Sequence, residues 1–420
     1  MTTTEPGAAD IVDMGDQDLM RDPYTGYAGI RERAPLVRAT IPGVEPVWIV
    51  TRYDDVKMVL SDPRFVVDTA NIPGMRVPSL DSQVMRRNKV PPEFMKYRKP
   101  RMDAFDGAEH ARLRKLVSQA FTVRRIAQHR PRVEEITEGL LDRLPGKAVD
   151  GVVDLQRHFA YPLPDTVLCE MVGIPDRDRA RWHEWYTISS PATDDDKIKA
   201  WNELIPYTRD LIARRRAQPA DDLITGMIRA QTDDGDRLSD TEMIAMILML
   251  GLVVHQTTVH FIGNAIVALL THPGQLALLR ENPELMPQAV HELLRFCGPT
   301  VLTPRPRYAT EDMEIGGMPV RKGEAVWPVV AGANWDARRF GDPDRLDITR
   351  EPDRASETHV AFGHGPHYCL GAALARQDAE VAFTALLRRF PDLELAVHPD
   401  DLEREPIPFQ WRLVTLPVRL

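Results

Sequence analysis

Twelve consecutive apolar positions, residues 243–254 (Met-Ile-Ala-Met-Ile-Leu-Met-Leu-Gly-Leu-Val-Val), stand out along the chain. A membrane span takes about 20 such residues, so the run predicts a helix through a protein core. Ser239 and Glu242 carry the Ser-x-x-Glu signature of a helix start, and Thr271-His272-Pro273 marks a stop. The helix predicted over 240–270 would be about 46 Å long. Earlier, apolar runs at 36–40 and 47–51 flank a Pro- and Gly-containing hexapeptide and predict a β-hairpin, and 54–60 predicts a helix closed by Asp62-Pro63. From 108 to 270 the periodicity is helical, with breaks at Pro162-Leu163-Pro164, Ser190-Pro191 and Pro219. A helix is expected over 286–296, strand-like alternation over 313–329, a helix after Gly371 ending near Phe383, and a final edge strand over 413–418. The pattern predicts a mostly α fold with small β-sheets, β-rich at about 35–65 and 310–330 and helical at about 108–300 and 370–390.

Composition narrows the class. With 420 residues and 43% hydrophobic content, the chain has enough apolar material for one large unit, and 22–420 is expected to form a single catalytic unit behind an N-terminal tail of 1–21. A net charge of −9 argues against a nucleic-acid binder, which carries a basic domain, and favours a soluble monomer. Cys169, Cys297 and Cys369 are an odd, sparse set that gives no disulfide framework and suits a reducing compartment. The first ten residues show neither the basic nor the apolar part of a signal peptide, so a cytoplasmic location without membrane attachment is expected.

The chemistry concentrates in 362–371, Phe-Gly-His-Gly-Pro-His-Tyr-Cys-Leu-Gly. A thiolate binds metal when its pKa is lowered, and the start of a helix with nearby donors does this. Cys369 precedes such a start. Gly363, Gly365 and Gly371 let main chain turn tightly and approach a flat group without Cβ collisions.

This loop resembles the haem-binding loop of the cytochrome P-450 superfamily, Phe-x-x-Gly-x-His-x-Cys-x-Gly, at every fixed position: Phe362, Gly365, His367, Cys369 and Gly371. The resemblance extends over about 22–420 and implies that family's triangular helical prism with a long central helix. It also implies haem b, with Cys369 as the iron-ligating thiolate that favours O–O cleavage. Glu292-Leu293-Leu294-Arg295 is similar to the family's Glu-x-x-Arg motif, with Arg350 at the position of the arginine that joins it, a structural network. His110 and Arg114, one face of a helix at i, i+4 spacing, and Arg307 and His359 occupy positions that the resemblance assigns to the haem carboxylates.

The distal pattern departs. Relatives carry Ala/Gly-Gly-x-Asp/Glu-Thr, in which glycine leaves room for oxygen and the acid–alcohol pair relays protons; this chain has Val253-Val254-His255-Gln256-Thr257. Gln256 does not titrate, so proton delivery falls to Thr257 with water, His255 or a substrate group. Two outcomes stay open: hydroxylation or epoxidation of a secondary metabolite, and oxidative coupling or cyclisation of an aromatic substrate such as a tryptophan-containing cyclic dipeptide. A non-catalytic haem-thiolate sensor is the alternative of another class. By resemblance, Val253, Val254, Val301, Leu302, Thr303, Phe409 and Gln410 line the substrate pocket, the loop over 68–108 roofs it, and Trp182, Trp185 and Tyr186 offer it an aromatic face. No flavin or iron–sulfur segment is visible. Electrons are therefore expected from NAD(P)H through a ferredoxin and its reductase, steered by Arg112, Lys115, Arg124 and Arg125.

Overall fold

The structure is a computed structural model describing residues 11–41, 44–87, 92–187, 194–350 and 357–420, with the side chains of 85–87, 92, 187, 194 and 254–256 outside the description. The expected break at Ser190-Pro191 lies outside the described residues. Among them helices dominate and the strands are short. Contacts gather into two compact units: Met1–Val84, Asn264–Cys369 and Pro399–Val414 form the first, and Met85–Gly263, Leu370–His398 and Thr415–Leu420 the second.

The first unit is built on a sheet in the order Val12–Asp13, Leu36–Thr40, Val47–Val50, Ala325–Pro328, Arg307–Ala309, Phe65–Val66. The expected hairpin is present, pairing Leu36 with Val50 and Ala39 with Val47. Side chains alternate across a strand, and here both faces are apolar. Val37, Ala39, Ile49, Tyr308 and Trp327 belong to one buried cluster, and Leu36, Val50, Phe65, Ala309 and Val326 to another. The expected N-terminal tail is corrected from Val12 onward: Val12–Asp13 pairs in parallel with the strand Leu36–Thr40, Met14 is fully buried, and the helix Gln17–Arg21 follows.

Glu292 and Arg295, on the helix Met286–Cys297, are 4% and 1% exposed. Arg295 donates two 2.7 Å bonds to the Glu292 carboxylate. It also donates to the carbonyls of Asn334 at 3.0 Å, Pro343 at 2.7 Å and Arg345 at 3.2 Å. Arg350 reaches Glu292 at 3.2 Å and donates to the Gly341 carbonyl at 2.8 Å.

In the second unit the helix Ala372–Arg389 packs along Val123–Arg143. It runs past the expected end at Phe383 because Ala385, Leu386 and Leu387 continue its buried apolar face, and its exposed last turn pairs Arg389 with Asp142 at 2.7 Å and Arg388 with Glu138. Earlier in the helix Glu380 pairs with Arg130 at 3.1 Å. The expected edge strand is corrected: the strand is Pro417–Arg419, and it lies in the middle of a small sheet between Glu394–Leu395 and Val153–Asp154.

The helix expected over 240–270 is two segments, Asp240–Gln256 and Thr258–Thr271. Its start is the expected capping box, with Ser239 N–H donating to Glu242 at 2.7 Å and Glu242 N–H to Ser239 Oγ at 3.3 Å. The interruption falls at Thr257, whose hydroxyl donates to the Val253 carbonyl at 3.0 Å. Such back-bonding competes with the helix ladder and bends it. By length and hydropathy this helix would pass as a membrane span, but 73% of its most apolar stretch is buried inside the protein.

Removing one partner of a buried ion pair costs about 3–5 kcal/mol, whereas an exposed pair is worth about 1 kcal/mol or less. Arg295→Ala is therefore expected to lower the urea midpoint strongly and Arg130→Ala hardly at all, with unfolding followed by tryptophan fluorescence.

Candidate functional site

Around Cys369 the backbone is fixed by its own hydrogen bonds. Gly363 N–H donates to Val360 O at 2.9 Å, Tyr368 N–H to Gly365 O at 3.0 Å, and Cys369 N–H to Phe362 O at 2.9 Å. Gly363 and Gly365 sit at φ +76° and +71°, the region that favours glycine. A Cβ on Gly365 would lie 2.7 Å from Leu60 O, so no larger residue fits this turn. The stretch leading in is tied down by Asn334 Oδ1, which accepts from Val360 N–H at 2.8 Å, and by the Tyr53 hydroxyl on Thr358 O at 2.5 Å.

The three cysteines differ in setting. Cys169 and Cys297 are buried, and desolvation pushes both thiols far up, which makes them inert. Cys369 is part-exposed, and so are Phe362, Gly365, His367 and Gly371 beside it. A loop with a part-exposed cysteine, a part-exposed phenylalanine and glycine turns has the donor chemistry that a thiolate-ligated macrocycle requires. Arg307, 6% exposed on the strand Arg307–Ala309, lies in the same unit and donates to the Arg305 carbonyl at 3.1 Å.

His359 lies in the same unit, beside the cysteine loop. It is 3% exposed, its Nε2 is 3.1 Å from His291 Nδ1, and its Nδ1 accepts from Ala361 N–H at 3.3 Å. Its ring is thus placed between the helix that carries His291 and the start of the cysteine loop. The sequence reading missed His291, which belongs to a helix 68 residues earlier.

The second unit holds His110 and Arg114 on the helix Gly107–Ala120. His110 is 4% exposed. Arg114 is half-buried, and among the described residues its guanidinium has no hydrogen-bond or ion-pair partner. One turn away Arg112 is bound by Glu109 at 2.7 Å, Asp236 at 2.9 Å and Glu242. A half-buried cation without an anion fits a site for a carboxylate-bearing ligand. Both observations, the thiol loop and Arg114, fit haem. The cluster expected to steer a redox partner is largely neutralised, since Lys115 pairs with Asp233 at 2.6 Å and Arg125 with Asp221 at 2.8 Å.

On the distal helix the side chains of Val254, His255 and Gln256 lie outside the described residues. Thr257 is described, with its hydroxyl on the Val253 carbonyl. Val253 is 40% exposed in mid-helix, an apolar surface that suits a pocket wall. In the first unit Phe409 stacks on Trp327 with ring centroids 5.2 Å apart, its carbonyl accepts from Val301 N–H at 3.0 Å, and Thr300 bridges to Gln410. Val301, Leu302 and Thr303 are buried behind the part-exposed Phe409 and Gln410. Trp182, Trp185 and Tyr186 are at most 5% exposed and pack on one another and on Tyr207, so the expected aromatic face is core.

The family model for cytochrome P450 matches residues 179–419. Cytochrome P450 107B1 of Saccharopolyspora erythraea is 41% identical over 405 residues, 96% of either chain. The 6-deoxyerythronolide B hydroxylase of the same organism is 38% identical across 98% of this chain and 99% of its own. The solved structure of the Bacillus subtilis bacillaene polyketide synthase cytochrome P450 PksS superposes with a TM-score of 0.86 at 34% identity, covering 97% of this chain and 99% of that one. The chain belongs to the cytochrome P450 family and is a monooxygenase.

Proposed function

We propose that this monooxygenase hydroxylates or epoxidises a polyketide-type secondary metabolite, with haem b held through the Cys369 thiolate. The observation that carries the reading is the glycine-turned loop, in which Cys369 is part-exposed while the other two cysteines are buried. Family membership supports haem, and the names of two relatives support the substrate class: one is a 6-deoxyerythronolide B hydroxylase, the other belongs to bacillaene polyketide synthesis.

Thiolate-ligated haem supplies oxygen activation when bound. The rest is the work of this chain. Phe362, Gly365, His367 and Gly371 shape the loop; Arg307, His110, Arg114 and His359 supply cationic and N–H donors for the two haem carboxylates, where charge-assisted bonds are strongest. Val253, Phe409 and Gln410 offer surface to the substrate, backed by Val301, Leu302 and Thr303. Thr257 is the hydroxyl that passes protons with water, since Gln256 cannot titrate. Electrons come from NAD(P)H through a ferredoxin and its reductase, and the protein acts in the cytoplasm as a monomer, residues 22–420 working as one catalytic unit.

Coupling or cyclisation of an aromatic substrate is the second reading. It is favoured by one observation, glutamine at 256 where relatives carry an acid.

Replacing Cys369 by Ala is expected to abolish the thiolate signature of the reduced carbon-monoxide spectrum; its retention would sink the ligand assignment. Arg114→Ala is expected to lower the haem-to-protein ratio after gel filtration while Arg112→Ala leaves it unchanged, and equal haem loss from both would remove the carboxylate role. Titrating the oxidised protein with polyketide macrolactones and tryptophan-containing cyclic dipeptides decides the substrate class. A saturable spin-state shift with macrolactones, and products heavier by one oxygen, is expected. A shift with dipeptides alone, and products short of two hydrogens, would establish coupling instead.

A further inference from the structure

Residues 86–101 hold seven basic side chains and one acid, Glu93, in a chain whose net charge is −9. Within this run the helix Pro92–Arg98 meets the long helix Asp194–Ala217 of the same unit. Phe94 and Tyr97, 6% and 5% exposed, form its inner face, with the Phe94 ring centroid 5.7 Å from that of Trp201. The packing brings two cations to one side chain. Arg209 donates to the Tyr97 hydroxyl at 3.1 Å, and the Lys96 ammonium lies 4.8 Å from the centroid of the same ring. We propose that Lys96, Arg209 and Tyr97 form a binding site for a phosphate-type dianion that bridges the two helices.

These cations lack the acids that others in the unit find. Lys115 takes Asp233 at 2.6 Å, Arg125 takes Asp221 at 2.8 Å and Arg132 takes Glu170 at 2.8 Å. Among the described residues Lys96 and Arg209 make no ion pair, and neither do Glu93 and Asp210, the acids closest to them along the two helices. Like charges held at one phenol repel, and an anion between them turns that cost into attraction. Desolvation raises the Tyr97 pKa, but the bonds and charges of Arg209 and Lys96 outweigh it, so the phenol titrates below its usual value. That is the electrostatic mark of a place short of negative charge.

The donor set selects the ligand. A guanidinium offers a fork of N–H groups that matches phosphate oxygens, and an ammonium adds a point charge. The Tyr97 hydroxyl accepts from Arg209, which leaves its own proton to donate. Three donor groups thus meet the three oxygens of a phosphate monoester, whose charge of about −1.5 to −2 near neutral pH balances two cations. The rest of the basic run steers anions toward the site. A phosphate bound there ties the helix Pro92–Arg98, part of the loop expected to roof the substrate pocket, to Asp194–Ala217. The site depends on neither the substrate proposal nor the haem.

The test is isothermal titration of the haem-loaded protein with inorganic phosphate at low ionic strength. One saturable site is expected, which sodium chloride at matched ionic strength does not fill. Lys96→Gln and Arg209→Gln are each expected to weaken binding about tenfold or more, and Tyr97→Phe about threefold. Lys115→Gln, which removes a cation already paired, should leave it unchanged. Hexyl phosphate identifies the source: affinity equal to that of inorganic phosphate points to the free ion, and tighter binding to a phosphoryl group carried by a larger molecule. Absence of saturable binding, tighter binding of succinate than of phosphate, or equal weakening by Lys115→Gln and Lys96→Gln would overturn the site. Should Arg209→Gln disturb its helix, the exposed Lys96→Gln still decides.

Discussion

A carboxylate buried beside two guanidinium groups governs the first unit. Glu292 accepts from Arg295, from Arg350 and from the Asp347 amide at 3.0 Å. The segment over 341–350 has no regular secondary structure, so its carbonyls lack the ladder partners that helices and strands provide. Arg295 and Arg350 satisfy those of Pro343, Arg345, Gly341 and Asp342. Arg295 also holds the carbonyl of Asn334, whose side chain in turn takes the Val360 amide. Val360 then accepts from Gly363 at the first turn of the cysteine loop. The position of Cys369 thus traces back through three residues to one buried ion pair.

Much of this was legible in the chain, and the reasons differ by element. The hairpin and the capping box depend on residues within a few positions of each other, so local pattern suffices. The full length of the helix after Gly371 did not show, because Ala385, Leu386 and Leu387 are buried by tertiary packing that the local pattern does not reveal. The interruption at Thr257 is local, but threonine occurs in many unbroken helices, and what matters is the back-bond to Val253. The cysteine loop was readable because each glycine answers a backbone demand, a positive φ or the approach of Leu60 O.

Residue roles were less legible than residue places. Arg112 and Arg114 look equivalent in sequence, both cationic and two positions apart. Helical geometry points them differently, so Arg112 meets three acids and Arg114 meets none among the described residues. His359 likewise has a partner that the sequence does not show. Its neighbour in space comes from the helix that carries Glu292, and no spacing rule could have shown that pairing.

The distal helix shows how packing settles an ambiguity of register. Gly251 is the one glycine in that run, and an alignment could slide to place it where relatives leave room for oxygen. In the structure the space is filled: a Cβ on Gly251 would lie 2.2 Å from the Tyr186 ring, and the Tyr186 hydroxyl donates to the Leu248 carbonyl at 3.3 Å. Burial holds that phenol protonated, far above its usual pKa. The glycine therefore seats a tyrosine of the helix Asp176–Thr187 rather than a ligand. The register that the resemblance implies, with Val254 at the position of the oxygen-side glycine, Gln256 at that of the acid and Thr257 as the hydroxyl, is the one that leaves Gly251 to this packing. In the proposed function, the hydrogen bond of Thr257 to Val253 leaves the oxygen lone pairs to accept from water, which a relay without a carboxylate would need.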